Sequence, residues 1–160
     1  MATMGSILFK DDAGDLIRGP REEDGSSFVY EFNAEVTFLS STTPSVIERR
    51  RVEVFWIVKG IDELTPALLD ILENNKRCKE IIVTLYRIGP ESGLHEKYFT
   101  YSFYDARIVS IRNWMDSVYD PTGAANPHFE KIGIVAREVC WSHEISSRQC
   151  TITQWGGENN

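Results

Sequence analysis

"HFEKIGIVAREVCWSHEI", residues 128–145, gathers two histidines, three glutamates, an arginine and a cysteine into one short span. Such a cluster is either a metal or catalytic centre, or a β-strand with a polar side. Read with a period of two, Glu130, Ile132, Ile134, Ala136, Glu138, Cys140 and Ser142 share one face. Phe129, Val135, Val139, Trp141 and Ile145 share the other with Lys131, Arg137 and His143. The span therefore reads as one long strand. Cys140 and His143 fall on opposite faces, and the close ligand doublets of a zinc site are missing. Glu130 and Glu138 lie about 26 Å apart at roughly 3.3 Å per residue, too far for a carboxylate pair. Both are expected to be solvated strand charges.

Working outward, "SFVYEFNAEVTF" (27–38) alternates, with Phe28, Tyr30, Phe32, Ala34, Val36 and Phe38 on one parity, which predicts a strand with that face buried. "RVEVFWIVK" (51–59) is apolar on both parities, so its strand is expected to be covered on both sides. "KEIIVTLYRI" (79–88) and "KYFTYSFYDARIVSI" (97–111) flank Gly-Pro and Ser-Gly turn signals and read as an antiparallel hairpin. Short strands near "GSILFK" and "CTITQW" bring the set to about seven or eight, a number that suits a barrel or sandwich.

One helix interrupts the strands. In "DELTPALLDILENN" (62–75), Thr65 is placed as N-cap and Pro66 at the first helical position. Leu64 and Leu69 fit a hydrophobic staple, and Leu68, Ile71 and Leu72 form the stripe expected to dock on the sheet, Leu69 with them.

The chain's 160 residues fit one domain, taken as residues 1–155 with a flexible tail at 156–160. With 42% hydrophobic and 26% charged residues, it has the make-up of an ordinary globular protein. A net charge of −7 and no basic stripe argue against nucleic acid as a partner. No apolar run reaches the roughly 20 residues that span a bilayer, and the first residues lack the pattern of a signal peptide. Folding in the cytoplasm is expected. Cys78, Cys140 and Cys150, odd in number and widely spaced, are expected to be free thiols. No GxSxG, HExxH, GxxxxGK[ST] or GxGxxG motif occurs, and His95 and His128 sit in loop contexts, so no catalytic residue, cofactor-binding residue or metal ligand is assigned.

The order of these segments resembles the hemolysin-coregulated protein (Hcp) family, the tube-forming component of type VI secretion systems. "VFWIVKGIDELTPALLDIL" (54–72) is similar to the family's strand running into an acidic residue, a Ser/Thr-Pro pair and the single helix. "IIVTLYRI" (81–88) with "HEKYFTYSFYDARIVSI" (95–111) resembles the family hairpin, and "NPHFEKIGIVAREVCWSHEI" (126–145) its long strand ending in Trp and a small hydroxyl residue. Phe129 in place of a frequent Leu, Cys140, and "ISSRQ" in place of a Gly-Gly turn depart from the family pattern.

The resemblance implies a compact antiparallel β-barrel with one short flanking helix, not an enzyme and without cofactor or metal. It implies hexameric rings stacked into a tube that a contractile sheath propels outward, with a spike protein at the tip and small effectors carried inside. The chain would be cytoplasmic before firing and then secreted without a signal peptide, with no membrane insertion. Relatives that carry a toxin domain after the barrel run on past the point where this chain ends. The basic run Arg49, Arg50 and Arg51, after the Pro-containing loop "SSTTPSVIE", is the expected contact between rings, with Glu22, Glu23 and Asp24, or Asp11 and Asp12, as acceptors. The competing readings are a monomeric β-barrel binding module with a small ligand or peptide in its interior, and a hydrolase whose site carries none of the known motifs.

Overall fold

The structure, a computed structural model, describes residues 4–39, 49–52, 54–122 and 128–153, with backbone alone at 37–39 and 49–52. In chain order the elements are β1 (Gly5–Lys10), β2 (Leu16–Ile17), β3 (Ser27–Asn33), β4 (Val36–Leu39), β5 (Arg49–Val52), β6 (Phe55–Gly60), α1 (Leu64–Glu73), β7 (Cys78–Ile88), β8 (His95–Trp114), β9 (Phe129–His143) and β10 (Arg148–Thr153). Every pairing is antiparallel. Six strands close on themselves in the order β9-β6-β3-β1-β7-β8, because β8 pairs back to β9 from Phe99↔His143 to Trp114↔Phe129. Closure removes the free edges an open sheet would expose.

The expected hairpin forms as β7 and β8, and "GSILFK" and "CTIT" lie in β1 and β10. "RVEVFWIVK" is not one strand: Arg51 and Val52 end β5, which among the described residues pairs only with β4, and the barrel strand begins at Phe55. The barrel interior is filled. Phe9, Phe55, Phe103, Ile57, Val83 and Ile132 are all fully buried, and the Phe55 and Phe103 rings meet edge-on at 4.7 Å. Buried side chains from five strands thus occupy the interior in which the competing reading would hold a ligand.

Two period-two readings need correction. On β3, Ser27 is the inward residue, whereas Phe28 and Tyr30 are 40% and 58% exposed. A shift in register between Val29 and Glu31 then turns Phe32 toward the core, so one apolar parity is split between two faces. On β9, the inward set is Glu130, Ile132, Ile134 and Ala136, followed by Val139 rather than Glu138. β8 turns over at the same level, from Phe103 to Ala106, about Asp105 with φ 50°. Register is unbroken across the switch, so both strands rotate together.

The helix also differs in detail. Its first residue is Leu64 and its cap position is Glu63, not Thr65, and no side chain caps there. Asp62 Oδ1 instead accepts the Leu64 N–H at 2.9 Å, and Thr65 Oγ1 accepts the Asp62 N–H at 3.2 Å. Leu64, Leu68 and Ile71 are buried, while Leu69 is 42% exposed, so neither the staple nor a docked Leu69 exists. The C-terminus closes as a Schellman motif: Lys76 N–H donates to the Ile71 carbonyl and Asn75 N–H to that of Leu72, with Asn75 at φ 49°.

Candidate assembly surfaces

The strand registers give the barrel two unlike ends. Gly60, Phe129 and Trp114 are aligned at one, and Ser27, the start of β7 and the turn after Lys10 lie there too. Helix α1 follows directly from Gly60 at this end. At the other end lie Asn33 and Trp56, the turn after Ile88 and the turn after His143. The β4–β5 hairpin leaves from this second end as a two-stranded sheet of its own.

Arg49, Arg50 and Arg51 occupy β5, opposite Leu39, Phe38 and Thr37 in register. Their side chains, and residues 40–48, lie outside the described residues, as does the tail expected at 156–160. The acidic residues named as their acceptors are divided: Asp11 and Asp12 are at the helix end, whereas Glu23 lies beside Met4, Tyr86 and His95, toward the hairpin end. Glu22, Glu23 and Asp24 are exposed in the loop before β3, and Asp11 and Asp12 are in the turn after β1. Arg21 draws on two of them, at 3.2 Å from Glu23 and 3.9 Å from Asp24. Burial pushes the Asp24 carboxyl up, but hydrogen bonds from the Ser26 hydroxyl and amide, with Arg21 nearby, outweigh it and hold the group below its ordinary value.

In the strand that opened the sequence reading, Glu130 is the main correction. It is not solvated but fully buried, together with Lys59. Lys59 Nζ lies 3.2 Å from Glu130 Oε2 and donates to Asp62 Oδ1 at 2.9 Å and to the Gly60 carbonyl at 3.0 Å. Thr65 Oγ1 donates to Glu130 Oε2, and Ser27 Oγ to Asp62 Oδ2. Glu130 Oε1 has no hydrogen-bond partner among the described residues. The cluster ties β3, β6, α1 and β9 at the helix end. Lys59 and Glu130 are sealed from solvent while Asp62 reaches the surface at 14% exposure, and the cluster works as a fastening.

Sequence reasoning missed this fastening, and the available signal was Lys59 closing an apolar strand just before an acidic residue and Thr-Pro. Glu138 does sit on the outer side, half exposed. His143 Nδ1 lies 2.8 Å from Ser146 Oγ, away from Cys140, and no group of three metal-binding side chains occurs among the described residues. His95 and His128 are exposed at opposite ends of the barrel. All three cysteines are free thiols.

The sequence profile described as "Type VI secretion system effector, Hcp" matches residues 14–143. The chain belongs to the Hcp family. A "Major exported protein" of Pseudomonas aeruginosa is 33% identical over 90 residues, which cover 56% of this Hcp chain and 52% of that protein. The chain thus spans about half the length of the curated relative it matches. Among solved structures, an Hcp1 protein from E. coli EAEC 042 superposes with a TM-score of 0.83 at 18% identity, covering 96% of this chain and 100% of that one. Hcp3 of Pseudomonas aeruginosa gives 0.74 at 24% identity over 95% and 98%. At these identities the structures establish the fold, the Hcp barrel. No helix among the described residues is long and apolar enough to cross a membrane.

Proposed function

We propose that this chain is the tube subunit of a type VI secretion system, working by self-assembly into hexameric rings that stack, carry small effectors in the lumen and are driven out by a contractile sheath. The rings assemble in the cytoplasm and leave the cell without a signal peptide, capped by a spike protein. One observation carries the reading. The barrel closes around a buried apolar core and still carries apolar side chains on its outer face, with Phe28 at 40% and Tyr30 at 58% exposure. Stacking is supported by the polarity of the ends: the hairpin with Arg49, Arg50 and Arg51 leaves one end, and Asp11 and Asp12 lie at the other. Copies that each carry −7 repel unless such opposite charges meet.

Size exclusion with light scattering at micromolar concentration and physiological salt tests the ring. Particles of several times 18.3 kDa, annular in negative stain, are expected, and a sharp monomer peak overturns the reading. Changing Arg49 and Arg50 together to Glu is expected to leave rings intact while stacking and export fall. A double variant that stacks and is exported like the parent removes this hairpin as the stacking element.

A further inference from the structure

On the exterior of the barrel, Arg112 of β8 and Lys131 of β9 stand directly opposite each other in the ladder. Like charges so placed repel. Neither forms an ion pair with a described carboxylate, although the chain has 24 acidic residues against 17 basic ones. Each rests on an indole instead: the Arg112 guanidinium is 5.3 Å from the Trp114 ring centre and Lys131 Nζ is 4.8 Å from that of Trp56. Trp56 covers Gly133, where an added Cβ would come within 3.0 Å of the ring. Phe129 extends the platform toward Tyr30, whose ring it meets edge-on at 6.0 Å. Aromatics and arginine are the residues that anchor protein interfaces.

The same outer face has a sign change across it. In register order one row runs Glu31 on β3, Val58 on β6, Lys131 on β9 and Arg112 on β8. On the β3 side, Glu31 and Glu35 are exposed and make no ion pair with a described residue. Strand β6 alone separates β3 from β9. Two steps round a six-stranded barrel is about a third of a turn, the angle between the two contacts that each member of a closed ring of six makes.

We propose that the Arg112–Lys131 side of this face is a lateral docking surface for a second copy of this chain, received against the neighbour's Glu31 and Glu35. This rests on the ring reading above and adds which surfaces meet. The contact is head to tail: the cations and indoles of one copy meet the carboxylates and the exposed Phe28 and Tyr30 of the next.

A charge-swap test decides it. One variant carries Arg112→Glu with Lys131→Glu, the other Glu31→Lys with Glu35→Lys. Each alone is expected to elute at monomer mass with an unchanged circular dichroism spectrum, and an equimolar mixture is expected to regain the parent ring mass by alternating around it. Rings from the first variant alone overturn the docking surface, and failure of the mixture to restore them overturns the pairing. A parent that is itself monomeric overturns the ring reading instead. Should the reversed variant not fold, Arg112→Gln with Lys131→Gln removes the charges alone. Its rings are then expected to dissociate at lower protein concentration than the parent's, and equal stability across salt concentrations overturns the proposal.

Discussion

Glu130 and Glu138 lie on the same strand, yet the first is fully buried against Lys59 while the second is half exposed. The difference comes from what covers each end of β9. At the helix end, Lys59, Asp62 and Thr65 close over the inward-facing carboxylate. At the hairpin end, the turnover near Asp105 has already moved the even-numbered residues outside, and β10 pairs edge to edge without covering the face. A charge on a strand is therefore placed by its neighbours in space, not by its periodicity.

The largest effect should come from breaking the buried side of that comparison. Lys59→Met leaves Glu130 sealed without its counter-ion and is expected to cost about 3–5 kcal/mol in denaturant unfolding. Adding Glu130→Leu to the same chain should restore much of that loss, because no unpaired charge then remains inside. Glu138→Ala should stay within about 0.5 kcal/mol of the parent. Equal costs for Glu130→Ala and Glu138→Ala would show that the buried cluster contributes no stability.

The helix sharpens the contrast residue by residue. Leu68 is fully buried, and Leu68→Ala should cost about 2–5 kcal/mol through lost transfer and a cavity. Its neighbour Leu69 is exposed, so Leu69→Asp should change stability by no more than about 0.5 kcal/mol. Thr65→Val keeps the shape but removes the hydroxyl that serves both Glu130 and the Asp62 amide, at about 1–3 kcal/mol. Thermal or denaturant melts of the three variants give the order directly.

Much of the fold was legible because it rests on local signals. The β7–β8 hairpin has its Gly-Pro turn, β1 its short apolar run, β10 its Thr-Ile-Thr, and α1 its Thr-Pro pair in the first turn and an apolar stripe. The order of those pieces was enough to give the family. What local pattern could not carry was which parity points inward: β3 shifts register at Glu31, and β8 and β9 turn over near Asp105. The Lys59–Glu130 pair was hidden for a related reason, since its members are far apart in sequence and each alone looks like a surface charge. The cation–indole pairs on the outer face also need the ladder before they can be seen.

The cysteines compare buried and exposed sites by chemistry. Cys78 is fully buried, and that burial, with Asp11 and Asp12 adding to it, pushes its thiol up to about 11. A maleimide at mildly alkaline pH is expected to label exposed Cys150 first, half-exposed Cys140 more slowly, and Cys78 only after denaturant is added. Replacing Cys140 and Cys150 by Ser should leave stability and assembly unchanged, as neither is in a disulfide. Rapid labelling of Cys78 in the folded protein would mean that the helix end opens.

The smallest expected effect is at Asp24, on the exposed acidic loop. Its carboxyl is held below the ordinary value of 3.8 in the folded chain, because Ser26 and Arg21 favour the charged form more than burial opposes it. A lowered folded value means that the unfolded chain takes up the proton first as pH falls. The stabilisation is therefore fully present above the ordinary carboxylate range and is lost as pH drops through the folded value. Since the side chain is 41% exposed, solvent screening keeps the contribution within about 0.5 kcal/mol. Asp24→Asn should lower stability slightly at pH 7, and the gap should close as pH falls below the ordinary carboxylate range in parallel denaturant titrations. A gap that widens in acid would mean that the loop prefers the protonated acid, and that the Ser26 and Arg21 contacts do not hold the charge in place.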